Sequence, residues 1–326
     1  MTTHSWRAPA RKAALWSALA ALGAVAVVSV IVWTWRADLP DPLASHWGGN
    51  SSVPDGFMSL NSLIAGSALL VIVFCVMFSA LGWFWGASGI TRRMVAASNV
   101  WIGGLGAGVL LSIAACQRGL TDAHQATLPG WTVAAVIVVP LVPAAVAARI
   151  VPGDPHEPAG GPVAADAPRL GLTGDERAVW FRRADGGPGL VVGGIAIVVT
   201  ALVAVAVRQW AMLVVPVLLA VVFAAMFAYT VRVDATGLTV RSIVGWPGTH
   251  VPADEVERAS VTEVHPIREF GGWGWRLGRG GRVGVVLRSG AGLLVERSGG
   301  RSLVVTVDDA ATGAALLNTL ADRTRR

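Results

Sequence analysis

The sequence predicts a polytopic α-helical membrane protein, with six transmembrane helices and a β-rich C-terminal region closed by one helix. Of the 326 residues, 54% are hydrophobic and only 14% are charged, which is too apolar a composition for a soluble protein of this length. Six apolar runs of about twenty residues are long enough to cross a bilayer. Residues 231–326 differ from the rest, because short alternating strand patterns there precede a helical pattern.

The six apolar runs cover residues 13–35, 62–85, 95–116, 131–148, 189–207 and 210–230. The first run is longer than the apolar core of a signal peptide, so we interpret it as an uncleaved anchor. No run contains Asp, Glu, His, Lys or Arg. Ion-coupled carriers place such residues within their helices. A passive or small-solute transporter therefore stays only an alternative function.

The basic residues predict the orientation of the chain in a bacterial plasma membrane. They concentrate in alternate connections, with Arg7, Arg11, Lys12, Arg92, Arg93, Arg149, Arg169, Arg177, Arg182 and Arg183 on one side. The other connections carry only Arg36, Arg118 and Arg208. Because cytoplasmic loops are enriched in Lys and Arg, both termini, including residues 1–12, are predicted to be cytoplasmic. The net charge of +6 is thus an orientation signal, and no nucleic-acid partner is predicted.

The connection 36–61 contains the densest cluster of turn residues in the chain, and it is predicted to lie outside the cytoplasm. Its prolines and glycines indicate a structured loop without a long helix. Structured loops are common recognition sites. We expect Trp47 and Phe57 to supply apolar contacts to a ligand, and His46 and Asp55 to supply hydrogen bonds. The alternative is that the two aromatic rings seat the loop on the membrane interface.

No metal site is predicted in these outer connections. His46 and His124, with carboxylates such as Asp122, are residue types that bind divalent metals. However, Asp41 and Asp55 stand beside proline or glycine in turn positions, where the carboxylate usually bonds the local backbone.

The segments LPD, HWG and PDGF follow one another in this insert, after the first apolar run. This pattern resembles the N-terminal domain of SdpI-type immunity membrane proteins, over residues 13–85. The resemblance implies immunity to a peptide toxin and recruitment of a cytoplasmic repressor. The second half of the chain departs from that family.

Residues 86–188 hold the third and fourth runs and a cytoplasmic connection. Gly104 and Gly108 lie one turn apart and predict close helix packing inside the bundle. Pro140 and Pro143 predict a kink in the fourth helix. Residues 151–168 are rich in Pro, Gly and Ala and predict a flexible linker. Residues 172–185 suggest an amphipathic helix capped by Thr173, lying on the anionic inner leaflet or docked on the C-terminal region.

After the hairpin of the fifth and sixth runs, 189–230, strands are predicted at 231–233, 238–243, 250–252, 282–288, 293–297 and 302–307. A helix follows at 310–323, with Asp309 as its N-cap and Leu316, Leu317 and Leu320 on one face. The Gly-rich run 270–281 is interpreted as a β-turn region, since a phosphate-binding lysine is missing from it. We expect residues 231–326 to fold alone.

The segments VDATGLTVRS, HVPADEVERASV and VVTVDDAATGAALLNTL resemble bacterial pleckstrin-homology-like domains. That resemblance implies a cytoplasmic module that binds a protein partner or anionic lipid.

No nucleotide-binding, metalloprotease or hydrolase motif occurs in the sequence. We therefore predict no enzyme activity and no cofactor. The leading hypothesis is a receptor or immunity-like protein that senses an extracytoplasmic ligand or peptide and holds a cytoplasmic partner. An envelope scaffold is a further alternative.

Overall fold

The computed structural model describes residues 7–48, 53–86, 88–173, 176–278 and 281–325. The chain forms two compact units. We call them the helical unit, built from residues up to 153 together with 199–215, and the sheet unit, built from residues 154–198 and 216–326. Residues 49–52 of the predicted loop, which include Asn50, lie outside the described residues, as do Gly174 and Asp175.

The described part of the chain contains six helical segments that are long and apolar enough to cross a membrane, as predicted. The helices are α1 Arg7–Thr34, α2 Leu60–Trp85, α3 Gly89–Ala115, α4 Trp131–Val138, α5 Leu141–Ile150, α6 Pro188–Ala206 and α7 Val214–Phe227. The fourth segment is α4 and α5 together, and a short 3-10 turn at Trp210–Leu213 leads into α7. These helices indicate a membrane protein.

The predicted kink in the fourth segment lies between α4 and α5, at Val139 and Pro140. Proline has no backbone N–H to donate to the preceding turn, so the helix is interrupted there. Pro143 falls in the first turn of α5, where an N–H has no partner within the helix in any case.

Helix α3 is the central helix of the helical unit and packs against α1, α2 and α5. A buried apolar cluster joins the first three helices through Val25, Val71 and Ile102. At Gly103 the backbones of α1 and α3 approach closely, since a Cβ there would lie 2.4 Å from the Cα of Ala21. Gly104 lies against Pro140, just before α5, and Gly108 lies against the side chain of Val136 in α4, so the predicted small-residue face packs within the chain.

One sequence-based boundary in this unit is wrong. Arg92 and Arg93 were expected in a polar connection, but α3 begins at Gly89 and includes both. Arg92 is buried, and its guanidinium donates to the carbonyl oxygens of Gly86 at 3.0 Å and Gly153 at 3.1 Å. Those carbonyls follow the ends of α2 and α5, so the arginine joins three helix ends at one level.

The sheet unit contains two β-sheets and a closing helix. Its strands are β3 Trp180–Asp185, β4 Ala228–Asp234, β5 Gly237–Ser242, β6 Gly248–Pro252, β7 Val256–Val264, β8 Gly274–Leu277, β9 Val283–Val286, β10 Gly290–Arg297 and β11 Arg301–Thr306. Helix α8 spans Pro266–Phe270 and α9 spans Ala310–Thr324. The first two strands of the chain, β1 Leu43–Trp47 and β2 Pro54–Met58, form a hairpin in the helical unit.

The four-stranded sheet has the order β3-β4-β5-β6 and is antiparallel throughout. The amphipathic helix predicted at 172–185 is wrong, because residues 180–185 form strand β3. All six residues of β3 pair with β4, from Trp180 opposite Val233 to Asp185 opposite Ala228, and Trp180 and Ala184 are buried. The sheet therefore draws its first strand from before the α6–α7 hairpin, and the predicted boundary at residue 231 is too narrow.

The five-stranded sheet has the order β7-β10-β11-β9-β8, and the β9–β11 pair is parallel. Strands β7 and β8 were not predicted. Strand β8 lies within the Gly-rich run 270–281, where a β-turn region was expected, and Phe270 is the last residue of α8. Helix α9 buries Leu316, Leu317 and Leu320, as its apolar period predicted.

The flexible linker predicted at 151–168 is wrong, because this segment lies along the sheet unit. The N–H of Ala159 donates to Asp254 O at 2.9 Å, and Val163 and Ala167 are buried. Glu255 is almost fully buried; it pairs with Arg297 and accepts the Glu157 N–H at 3.0 Å. A buried carboxylate needs such partners to offset its desolvation.

Asp309 precedes α9 as predicted, but its carboxylate does not accept a backbone N–H of that helix. Its backbone is left-handed, with φ of 57°. The carboxylate instead accepts hydrogen bonds from Thr312 Oγ1 at 2.6 Å, Trp180 Nε1 at 3.1 Å and Arg182 at 2.6 Å. These bonds, first those from Thr312 and Trp180, lower the pKa of Asp309. Asp309 thus joins β3 to α9.

Candidate functional site

The candidate site is a cap at one end of the helical unit, which we call the hairpin cap. It consists of residues 36–48 and 53–59, between α1 and α2, and residues 117–130, between α3 and α4. Strands β1 and β2 pair in an antiparallel hairpin, in which Ala44 lies opposite Phe57 and His46 lies opposite Gly56. All four predicted site residues belong to this hairpin.

Gln117 fixes the hairpin to the end of α3. Its side chain is fully buried, and its amide accepts the Ala44 N–H at 2.7 Å and donates to Ala44 O at 2.9 Å. The same amide nitrogen donates to Ile113 O at 2.8 Å. A buried amide whose donors and acceptor are all used holds a backbone rigidly in place. No pattern in the sequence indicates this contact, because the partners are far apart in the chain.

Trp47 and Phe57 pack on the second connection of the cap. The indole N–H of Trp47 donates to Ala126 O at 3.0 Å. Both rings are half-buried against a small cluster formed by Ala44, Ala123 and Ala126. One side of each ring thus anchors the hairpin, and their contact with a ligand stays a prediction.

His46 and Asp55 are brought together on the exposed side of the hairpin. The distance between His46 Nδ1 and Asp55 Oδ1 is 2.6 Å. Their side chains are 71% and 54% exposed, respectively, so this pair faces solvent. An imidazole ring held by a carboxylate presents its second nitrogen in a fixed direction. The pair is thus built for a directional hydrogen bond to a bound group.

A second pair of the same kind lies in the other connection. His124 Nδ1 lies 2.9 Å from Asp122 Oδ1, and Phe57 stacks against the His124 ring with 4.6 Å between centroids. The backbone N–H of His124, and then its side chain, lower the pKa of Asp122. His124 and Asp122 thereby extend the predicted site, and their spacing of two residues is the sequence signal of such a local turn.

The cap does not assemble a metal centre from the residues that the structure describes. Among them, no group of three or more His, Cys, Asp and Glu side chains could hold a metal ion. Each histidine of the cap is instead matched with one nearby carboxylate.

A polar contact that the sequence reading did not single out joins the helices of this unit. Asn99 of α3 is fully buried, and its Nδ2 donates to Ser17 Oγ at 3.0 Å and Ser79 Oγ at 3.3 Å. Its Oδ1 has no hydrogen-bond partner among the described residues. Amide and hydroxyl contacts of this kind hold apolar helices together.

The arrangement offers hydrogen-bonding groups and aromatic surface. In comparisons with known proteins, no family model, curated protein or solved structure matches this chain. The function is therefore argued from the hairpin cap itself.

Proposed function

We propose that this protein is a non-enzymatic membrane receptor, and that the hairpin cap is its ligand-binding surface. The proposal rests on a contrast between two sets of side chains in the cap, one that anchors the hairpin and one that faces solvent. Gln117 and Trp47 tie the hairpin to its surroundings, whereas His46 and Asp55 stay exposed. Preorganised polar groups on a rigid support lose little conformational entropy on binding.

The shape of the cap favours an extended polar ligand such as a peptide. Phe57 is adjacent to Gly56, the cross-strand partner of His46, and it also stacks on His124. One His–Asp pair thus lies against the Phe57 ring, and the other belongs to the same hairpin, one position along the strand pair. A peptide presents amide donors and acceptors at regular spacing, with apolar side chains between them, and this chemistry matches the surface.

The proposal also includes the orientation of the chain in the membrane and its likeness to two protein families. The positive-inside pattern supports an orientation with the cap outside the cytoplasm and the sheet unit inside. Two apolar helices joined by a structured insert support the likeness to SdpI-type N-terminal domains. Several strands followed by one closing helix support the likeness to pleckstrin-homology-like domains. On this proposal the sheet unit holds a cytoplasmic protein partner or anionic lipid.

The test is retention of peptides from an envelope extract by the full chain in lipid nanodiscs, followed by mass spectrometry. His46→Ala with Asp55→Ala is the test variant. Asp41→Ala, an exposed carboxylate of the same cap outside the two pairs, is the matched control. We expect a discrete peptide that the control retains and that the test variant retains at least tenfold less.

Abundance and thermal unfolding of each variant are measured in parallel, so that loss of folding is separated from loss of binding. Reporter fusions at Asn50 and Gly160 check the orientation and are expected to read outside and cytoplasm. Retention that is the same for the wild type and the test variant would contradict the receptor proposal. Both reporters in one compartment would contradict the orientation.

A further inference from the structure

One end of the four-stranded sheet is joined directly to two candidate membrane spans. Only Gly186 and Gly187 separate β3 from α6, and β4 begins at the residue after α7 ends. Gly187 has φ of 78°, and a Cβ there would lie 1.9 Å from Leu287 O, so this connection is tightly packed. When α6 and α7 cross a bilayer, this end of the sheet lies at the membrane surface.

The turn between β5 and β6, residues 243–247, lies at the same end of the sheet. The N–H of Ile243 donates to the carbonyl oxygen of Ala228, the first residue of β4, at 3.0 Å. Ser242 Oγ, just before the turn, donates to Ala224 O in the last turn of α7 at 3.4 Å. The β5–β6 turn is therefore held beside the residues at which the chain leaves α7.

This turn exposes large apolar side chains. Ile243, Val244 and Trp246 are 56%, 46% and 41% exposed. Turns that face water favour Gly, Asn, Asp, Ser and Pro, so three large apolar side chains in one turn indicate a different environment. Tryptophan is enriched at the level of the lipid headgroups, where its ring lies in an apolar layer and its N–H reaches polar groups.

Two arginines stand next to the turn on the outer face of the sheet. Arg183 of β3 and Arg241 of β5 both lie opposite Thr230 of β4, so the three side chains share one row and one face. Both arginines are exposed, and neither forms an ion pair with a described residue. Asp185, two residues from Arg183 in β3, is an exposed acidic residue at this end of the sheet. Arg232, farther along the same face, pairs with Asp234 at 2.8 Å.

We propose that the β5–β6 turn inserts Ile243, Val244 and Trp246 into the headgroup layer of an anionic bilayer leaflet, where Arg183 and Arg241 bind lipid phosphates. Apolar burial and attraction to anionic lipid act together in such interfacial contacts. The occupant of this surface is the membrane that α6 and α7 enter. The proposal rests on the orientation given with the proposed function, and it names the part of the sheet unit that contacts anionic lipid; the binding of a ligand by the hairpin cap is tested separately.

The test uses the full chain with Cys75→Ala and Cys116→Ala, reconstituted into phosphatidylcholine vesicles with or without phosphatidylglycerol. An environment-sensitive fluorophore is attached at Val244→Cys, and a lipid with a quencher near its headgroup is added. Ala235→Cys is the matched control, because it is exposed in the β4–β5 turn at the other end of the same sheet. We expect at least twofold quenching and a blue-shifted emission at 244, and neither at 235.

The electrostatic part is tested with Arg183→Gln and Arg241→Gln together, against Arg232→Gln as the control. Quenching at 244 is expected to increase with phosphatidylglycerol, and the double variant should lose that increase while the control keeps it. A second fluorophore, attached at Ile243→Cys, shows whether the quenching at 244 reflects the position of the whole turn or only that of one labelled side chain. Emission from 243 and 244 as water-exposed as from 235 overturns the proposal. Quenching that is independent of phosphatidylglycerol, or of the two arginines, overturns it as well.

Discussion

Tyr229 is the single tyrosine of the chain and one of its most deeply buried side chains. It lies in β4 beside Trp275, with 6.3 Å between ring centroids. Neither the Tyr229 hydroxyl nor the Trp275 indole N–H has a hydrogen-bond partner among the described residues. Burial without a partner raises the pKa of Tyr229, because the charged phenolate is poorly solvated there.

We expect Tyr229→Phe to increase the free energy of unfolding of the sheet unit by about 1 kcal/mol. A buried hydroxyl without a partner costs roughly 1–3 kcal/mol, and phenylalanine keeps the ring while removing that cost. Thermal unfolding of the full chain in detergent measures the change. Tyr229→Leu is the comparison, since it removes the ring and should destabilise. A loss of stability in Tyr229→Phe would mean that the hydroxyl is bonded after all.

In contrast to the Tyr229 hydroxyl, the carboxylate of Asp309 accepts several hydrogen bonds, from Thr312, Trp180 and Arg182. The pKa of Asp309 is lower in the folded protein than in the unfolded chain. The carboxylate therefore contributes its full stabilisation above the unfolded-state pKa. That stabilisation is lost as the pH falls through the folded-state pKa. We expect Asp309→Asn to destabilise the protein by about 0.5–1 kcal/mol at pH 7, the range for a partly exposed pair screened by solvent. The difference from wild type should shrink below about pH 4. Unfolding midpoints at pH 7 and pH 3.5 measure it, and a difference that does not change with pH would contradict the assignment.

The four candidate site residues could be selected from the sequence because of their positions in one insert. His46, Trp47, Asp55 and Phe57 stand in a short insert full of turn residues, and the structure places all four in one hairpin. What the sequence could not indicate is how they are held. Gln117 and Ala126 reach the hairpin from a distant connection, and a single chain without its fold gives no sign of such contacts.

Among the elements, α3 carries the packing of the helical unit. Its surface against α1 depends on Gly103, where any side chain would meet the Ala21 backbone. Small residues allow such an approach, and close packing stabilises helices that are equally apolar on all sides.

We expect Gly103→Ala to destabilise the helical unit by about 1–3 kcal/mol, the usual cost of overpacking. Gly66→Ala in α2 is the matched control, because a Cβ there would meet nothing within 4 Å. Alanine is the better helix former, so the control should be neutral or slightly stabilising. Unfolding by a denaturing detergent compares the two variants. Equal stabilities would show that α1 and α3 separate at little cost.

Helix positions were predictable because an apolar run of about twenty residues has few alternatives. Strand β3 was not, for a physical reason. Thr173 and Glu176 have the spacing of a capping box, and the Thr173 N–H does lie 3.3 Å from the Glu176 carboxylate. That local contact forms without a helix following it. Pairing with β4 along the whole of β3 then determines the backbone, and this partner lies beyond two apolar helices.

For the molecule as a whole, the main departure from expectation is that the sheet unit is discontinuous in sequence. Residues 231–326 lack β3 and the segment near residue 160 that covers Glu255. An incomplete sheet leaves an unpaired edge and an uncovered ion pair.

We therefore expect residues 231–326 alone to aggregate or to unfold without cooperativity. A chain of residues 154–185 joined to 228–326 by a two-residue Asn-Gly turn should be soluble and unfold cooperatively. Asp185 and Ala228 are paired directly, so a short hairpin turn fits between them. Circular dichroism during heating distinguishes the two chains. Cooperative unfolding of the shorter chain at the same midpoint would show that β3 is dispensable.

The insertion of the α6–α7 hairpin between two paired strands also determines the order of events during synthesis. The ribosome releases β3 first, and its partner β4 emerges only after both apolar helices have been made. A growing chain thus holds β3 without its partner until the whole α6–α7 hairpin has been made. An unpaired strand edge is a target for proteases and for aggregation, so a chain that stops within the hairpin carries such an open edge.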